Sequence, residues 1–164
     1  NALREPGALD AAAECGVPVC LMHMRGDPGT MQDSPQYDDV VDEVKTFLQQ
    51  RLSACVQAGI RRERILLDPG FGFGKTVHHN MQLLARLEEF DQLGQAMIVG
   101  LSRKSMIGEL LGLEVGERLP ASIALAVLAV ERGARLVRSH DVAATWQALQ
   151  MITVLHDRHR EWET

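Results

Sequence analysis

The sequence predicts an α/β fold built on a parallel sheet. Short apolar runs alternate with longer amphipathic ones, and the alternation repeats as four strand–helix units of roughly 40 residues each. Gly, Pro or polar signals follow the apolar runs closely, so each run reads as a strand with its own connection. Such alternation implies right-handed crossovers between parallel strands. A closed (β/α)8 barrel needs eight strands and typically about 250 residues, whereas these 164 residues supply four strands. Two architectures therefore fit, a small open α/β domain or the back half of a barrel. No strand precedes the first helix, which favours the partial barrel, with residues 1–164 read as one unit.

In chain order, Pro6 to Cys15 reads as a helix with Pro6 in its first turn. Val17 to Met24 reads as a strand, entered through Gly16 and Pro18 and stopped by Gly26-Asp27-Pro28. Tyr37 to Ala58 is a long helix on which Val40, Val44, Phe47 or Leu48, Leu52 and Cys55 recur every three or four residues. Ile65 to Asp68 is the second strand, halted by Pro69-Gly70. His79 to Phe90 follows as a helix with Met81, Leu84 and Leu87 on its inner face, and Met97 to Leu101 as the third strand. Ala121 to Glu131 is apolar nearly all round, which predicts a helix buried on two sides. Leu136 to His140 is the fourth strand. Val142 to His156 is the closing helix, with Val142, Trp146, Leu149 and Ile152 inward and a frayed charged tail beyond it.

Composition excludes several classes of function. Hydrophobic residues make up 46% and charged residues 24%, which is globular rather than disordered. A net charge of −5 argues against a nucleic-acid partner. The longest apolar stretch, Ile123 to Val130, is far too short to span a membrane, and no charged-then-apolar leader is seen, so a cytoplasmic setting is expected. Cys15, Cys20 and Cys55 are odd in number and lack a C-x-x-C spacing, as reduced thiols would. With only three lysines against fourteen arginines, each lysine is worth locating. Lys75 and Lys104 fall in loops after predicted strands, and Lys45 falls in a helix.

Parallel α/β folds build their sites at the carboxyl ends of strands. Here those ends read Met22-His23-Met24-Arg25-Gly26, Asp68 to Lys75, Gly100-Leu101-Ser102-Arg103-Lys104-Ser105 and Arg138-Ser139-His140-Asp141, with polar or cationic groups on every one. The run from Asp68 to Lys75 ends in Gly-Lys-Thr, yet Pro69 occupies the first glycine position of a phosphate loop, so that frame fails. Rossmann spacing fails too, because Gly70, Gly72 and Gly74 alternate. What remains is a carboxylate followed by a backbone open to close approach. Asp68 could accept two parallel N–H bonds from an amidine-like edge, such as the 2-amino-4-oxo edge of a pterin. It could equally serve as a helix cap or in a structural ion pair. Phe71 and Phe73 add apolar surface or core. Lys104 could reach a polarised carbonyl or a ring nitrogen, or be a solvated loop charge. Arg138 and His140 alternate on a strand and so face one side, as an anion clamp or as two polar rim positions. His23 reads as a rim histidine, His78 and His79 as an exposed helix start, and His156 with His159 as no metal site.

Taken together, the Met22–Pro28, Asp68–Lys75, Ser102–Gly108 and Arg138–Asp141 runs resemble bacterial dihydropteroate synthase, in matching order and across essentially the whole chain. The resemblance implies the C-terminal part of a TIM barrel that joins 6-hydroxymethyl-dihydropterin pyrophosphate to p-aminobenzoate, releasing pyrophosphate, in folate biosynthesis, and that is a sulfonamide target. It implies that Asp68 binds the pterin edge, with Met22, Gly72, Phe73 and Lys104 lining the pterin pocket. Phe73 and Ser102 would border p-aminobenzoate, and Arg138 and His140 would hold pyrophosphate. Asp68 and Lys104 are implied as the catalytic pair. Mg²⁺ is implied as cofactor, its ligand lying in the N-terminal strands that the family has and this chain lacks. The piece alone is then expected to be inactive, and homodimerisation or self-association through the open edges is expected. A methyltetrahydrofolate-binding methyltransferase domain shares the aspartate at the strand end but needs no pyrophosphate clamp. A non-catalytic half-barrel interaction module is the alternative of a different class.

Overall fold

The structure is a computed structural model that describes residues 2–26, 29, 31 and 34–162, with 158–162 as backbone only. Asp27, Pro28 and the side chain of His159, which the sequence reading used, lie outside the described residues. Four strands alternate with helices: α1 (Ala8–Cys15), β1 (Val19–Met22), α2 (Val40–Gln57), β2 (Ile65–Asp68), α3 (Val77–Ala85), β3 (Ala96–Val99), α4 (Ser105–Leu111), α5 (Leu119–Glu131), β4 (Ala134–Val137) and α6 (Val142–Trp162). The sheet order is β1-β2-β3-β4 and every pairing is parallel, the sequential order of a barrel arc.

The period-two alternation of a strand sorts the sheet into two faces. Leu21, Ile65, Leu67, Met97 and Val99 are buried in one cluster with Val41, Val44, Leu48 and Leu52 of α2, Leu83 of α3 and Ala129 of α5. Register puts Met22 opposite Asp68, and Ile98 opposite Leu136. Leu136 is exposed, and Met22 and Ile98 are half-buried, so this second face is the more open one. A register shift between Met97 and Ile98 keeps β4 in phase with β3.

Helix α2 starts at Asp39, whose side chain accepts from the N–H groups of Val41 at 2.8 Å and Asp42 at 3.0 Å. Helix α3 starts with a reciprocal cap between Thr76 and His79. The predicted helix over 79–90 is therefore two pieces: α3 ends at Ala85 and a 3-10 segment runs from Leu87 to Leu93. Its buried side chains are Asn80, Leu83 and Leu84, while Met81, expected inward, points to solvent.

Four other expectations are corrected. Val142 and Trp146 on α6 are 66% and 64% exposed, and Thr145 is buried instead, because α6 packs on α5 at the end of the sheet. Helix α5 buries only Ser122, Ala126 and Ala129 and leaves Leu128 exposed, since it faces β4 and α6 on one flank alone. Strand β4 lies two residues earlier than expected and ends at Val137. Helix α4 is an element the sequence pattern does not predict, because Ser-Arg-Lys-Ser and two nearby glycines mask its single apolar turn of Met106 and Ile107. All three cysteines are free.

Candidate functional site

The carboxyl ends of the strands form one rim. Beyond β1, the His23 N–H donates to the Asp68 carbonyl at 3.0 Å, and the Arg138 N–H donates to the Val99 carbonyl at 2.8 Å, so the ladder extends one rung past the strands. Asp68 closes β2 and is buried. Its Oδ1 accepts from the Gly70 N–H at 2.7 Å, which holds the carboxylate on the rim. Burial holds its carboxyl above the ordinary carboxylate range, opposed by the Gly70 N–H and by Arg138, Lys104 and Lys75. A carboxylate that is desolvated yet ringed by cations is poised to accept hydrogen bonds from a ligand.

The alternating glycines after Asp68 have a packing reason. Gly70 and Gly74 adopt positive φ, and a Cβ on either would run into a carbonyl oxygen, of His23 or Arg25 respectively. The loop therefore lies directly on the backbone that leaves β1. Phe71 turns into the core, whereas Phe73 stays at the rim with the Lys104 Nζ 4.5 Å from its ring centroid.

Beneath this loop sits a residue to which the sequence reading gave no role. Lys75 is 3% exposed. Its Nζ donates to the carbonyls of Gly70 at 2.9 Å and Phe73 at 3.1 Å, and lies 2.9 Å from His23 Nδ1. Burial pushes its ammonium down to about 7, and burial with Lys75 beside it pushes His23 down to about 3. His23 is thus a neutral acceptor packed edge-on to Phe47. Asn80 is the second missed support. Its Oδ1 accepts from the Gly72 N–H at 2.8 Å, and its amide donates to the Thr76 carbonyl at 2.7 Å. The signals were a rare lysine closing a glycine run and an amide on an inward helix face.

The Ser102–Ser105 segment leads into α4. The Arg103 guanidinium pairs with Asp141 at 2.5 and 2.9 Å, while Lys104 is directed at Gly72 and Phe73. Burial, then Arg138, lowers the Lys104 pKa, while Asp68 opposes the shift. A hollow of about 250 Å³ is walled by Gly100, Ser102, Arg103, Lys104, Ser105, Arg138 and His140. The Arg138 guanidinium lies across Gly100, where any Cβ would meet it at 2.6 Å. His140 Nδ1 is 3.1 Å from Ser102 Oγ, which also accepts from the His140 N–H at 3.2 Å. Arg138 and His140 do share one cavity, but the reason differs from strand alternation. The strand has ended, and the turn into α6, pinned by Ser139 on Thr145 at 2.8 Å, brings His140 round. Met22 borders Asp68 through the strand register. All eight residues singled out from the sequence therefore lie on this rim. A second hollow of about 530 Å³, beside Arg25, Glu43 and Phe47, contains none of them.

The four-strand parallel arc carries one buried carboxylate and several cations at its carboxyl rim, where parallel α/β folds build their sites. More narrowly, the Pterin binding enzyme family matches residues 1–140, and the chain belongs to that family. It is 54% identical over 152 residues to the dihydropteroate synthase of Escherichia coli strain K12, an alignment covering 93% of this chain and 54% of that protein. The structure of Yersinia pestis dihydropteroate synthase with a sulfonamide drug complex superposes with a TM-score of 0.92 at 48% identity, covering 95% of this chain and 57% of the other. Xanthomonas albilineans dihydropteroate synthase in complex with 7,8-dihydropteroate gives a TM-score of 0.88 at 51% identity, covering 94% and 56%. The chain spans about half the length of the curated relatives it matches.

Proposed function

We propose that this chain is the site-bearing part of a dihydropteroate synthase. In that reading the protein joins 6-hydroxymethyl-dihydropterin pyrophosphate to p-aminobenzoate. The bond between the pterin methylene and the pyrophosphate oxygen breaks, the arylamine nitrogen bonds to the methylene and loses a proton, and pyrophosphate leaves. The observation that carries the reading is the meeting of Asp68, Lys104, Arg138 and His140 on one rim, a hydrogen-bond acceptor for a pterin edge beside a basic hollow for a leaving anion. The 7,8-dihydropteroate bound by the Xanthomonas albilineans relative supports the product.

Each residue then has a task. Asp68 accepts the paired N–H groups of the pterin, with Met22 and Gly72 as walls. Phe73 and Ser102 border the p-aminobenzoate. Lys104 spans the two substrates over Phe73. Arg138 and His140 stabilise the charge that builds on the departing pyrophosphate, which is where fixed donors lower a barrier most. Mg²⁺ belongs to the proposal as a neutraliser of that charge. Among the described residues no group of three or more His, Cys, Asp or Glu side chains is placed to hold a metal, and no step here runs through one. A cytoplasmic setting and self-association complete the reading. Among the described residues no helix is long and apolar enough to cross a membrane.

The test compares ligands on Arg138→Ala in the protein at the full length of its relatives. The variant should bind the pyrophosphate-bearing pterin roughly tenfold or more weakly, as loss of a charge-assisted contact does, and bind a pterin without pyrophosphate almost unchanged. Equal losses for both ligands would refute the clamp.

A further inference from the structure

We propose that Arg118 is a positioning residue for Lys104, a latch that reaches from the start of α5 and fixes the backbone on which Lys104 is mounted. The inference rests on the reading of Lys104 as a substrate contact. Arg118 Nη1 donates to the carbonyls of Arg103 at 3.2 Å and Lys104 at 3.4 Å, and its Nε donates to the carbonyl of Leu113 at 3.0 Å. One guanidinium therefore holds both ends of α4. Ser122, one turn along α5, completes the grip. Its hydroxyl accepts from the Arg103 N–H at 2.9 Å and donates to the Arg118 carbonyl at 2.6 Å. The segment is thus held at an N–H and at two consecutive carbonyls from one helix start.

The segment needs holding. Arg103 has φ +56°, a left-handed conformation that a non-glycine residue keeps only where its surroundings impose it. The outer side of Arg103 is tied to Asp141. Gly108 makes the latch possible: a Cβ there would overlap the Arg118 guanidinium, with its central carbon at 2.8 Å and the Leu113 carbonyl at 2.9 Å. Arg118 is not among the residues walling the hollow, so it acts on substrate only through the segment it holds. On release, the Lys104 ammonium loses its placement over Phe73. Displacements near 1 Å in a site can lower rates by about 100-fold.

The test is a double-mutant cycle on the condensation rate in the full-length protein. Arg118→Ala removes the latch, and Gly108→Ala displaces the guanidinium while leaving its charge in place. Each is made with Lys104 present and in a Lys104→Ala background, and thermal midpoints report folding. If Arg118 acts through Lys104, each variant lowers kcat/KM about 10- to 100-fold when Lys104 is present and by less than about twofold when it is absent. Equal losses in the two backgrounds would mean a general structural role and would overturn the proposal, as would no loss in either. If Arg118→Ala fails to fold, Gly108→Ala alone decides by the same criterion. A Lys104→Ala variant with full activity would remove the reading of Lys104 itself, and the latch with it. An impaired Lys104→Ala with additive losses would remove only the latch.

Discussion

Asp68 and Lys75 are both buried and lie under the same loop, yet their environments treat them differently. Asp68 keeps one backbone donor and an open side toward the rim, so its acceptor capacity is available to a ligand. Lys75 spends its donors on the Gly70 and Phe73 carbonyls and on His23. The His23 pair has a pH signature. His23 is held near 3 in the folded protein against an ordinary value of 6.5, so between those values the unfolded chain binds more protons than the folded one. Its contribution to stability is complete above about pH 6.5 and is lost as pH falls toward 3. His23→Asn keeps an acceptor for Lys75 and cannot titrate. Urea unfolding across this range should show wild type losing stability more steeply on acidification than the variant, and parallel slopes would refute the assignment. Asp68, shifted upward, contributes a slope of the opposite sign, and comparison with the variant cancels it. Lys75, lowered to about 7, adds a rise in stability between pH 7 and 10.5.

Among the elements, α2 shows how local signals and packing cooperate. Asp39 caps it with two accepted N–H bonds and also meets Arg86 at 2.8 Å. Removing a cap of this kind costs about 1 kcal/mol, whereas an exposed ion pair contributes little. Asp39→Ala should therefore destabilise by about 1 kcal/mol and Arg86→Ala by clearly less in denaturant unfolding. Strand β2 was legible to the residue, because Ile65 to Leu67 is a continuous apolar run closed by Asp68 and Pro69. The inner faces of α3 and α6 were not. Periodicity finds a stripe but not which side the sheet lies on, so Met81, Val142 and Trp146 were assigned inward and lie outward. Helix α4 escaped because its apolar stripe is a single turn, Met106 and Ile107, and the carbonyls before it are held by Arg118 from the start of α5.

At the scale of the whole molecule, the four strands hand one chemical face to the rim. The motifs that meet there were legible because each sits immediately after a strand, where parallel topology must gather them. Their supports were less legible. Lys75 on His23 and Arg118 on Lys104 are long-range contacts that no local spacing encodes. The glycine alternation, which excluded a Rossmann loop, has its cause at Gly70 and Gly74 in the carbonyls of His23 and Arg25 beneath them. Gly70→Ala should accordingly impair both folding and ligand binding, since the strained φ and the overlap with backbone act together. A thermal midpoint equal to wild type would contradict that packing.

Under the proposed function, Asp68 is the anchor for a pterin edge. Titration of a dihydropterin pyrophosphate analogue, followed by fluorescence or calorimetry, tests it on the full-length protein with Asp68→Asn as the comparison. The account predicts binding to the wild type and a loss of roughly 10- to 100-fold in the variant, because an asparagine offers one acceptor and a misdirected donor where the ligand presents two N–H groups. Equal affinity for the two proteins would contradict it.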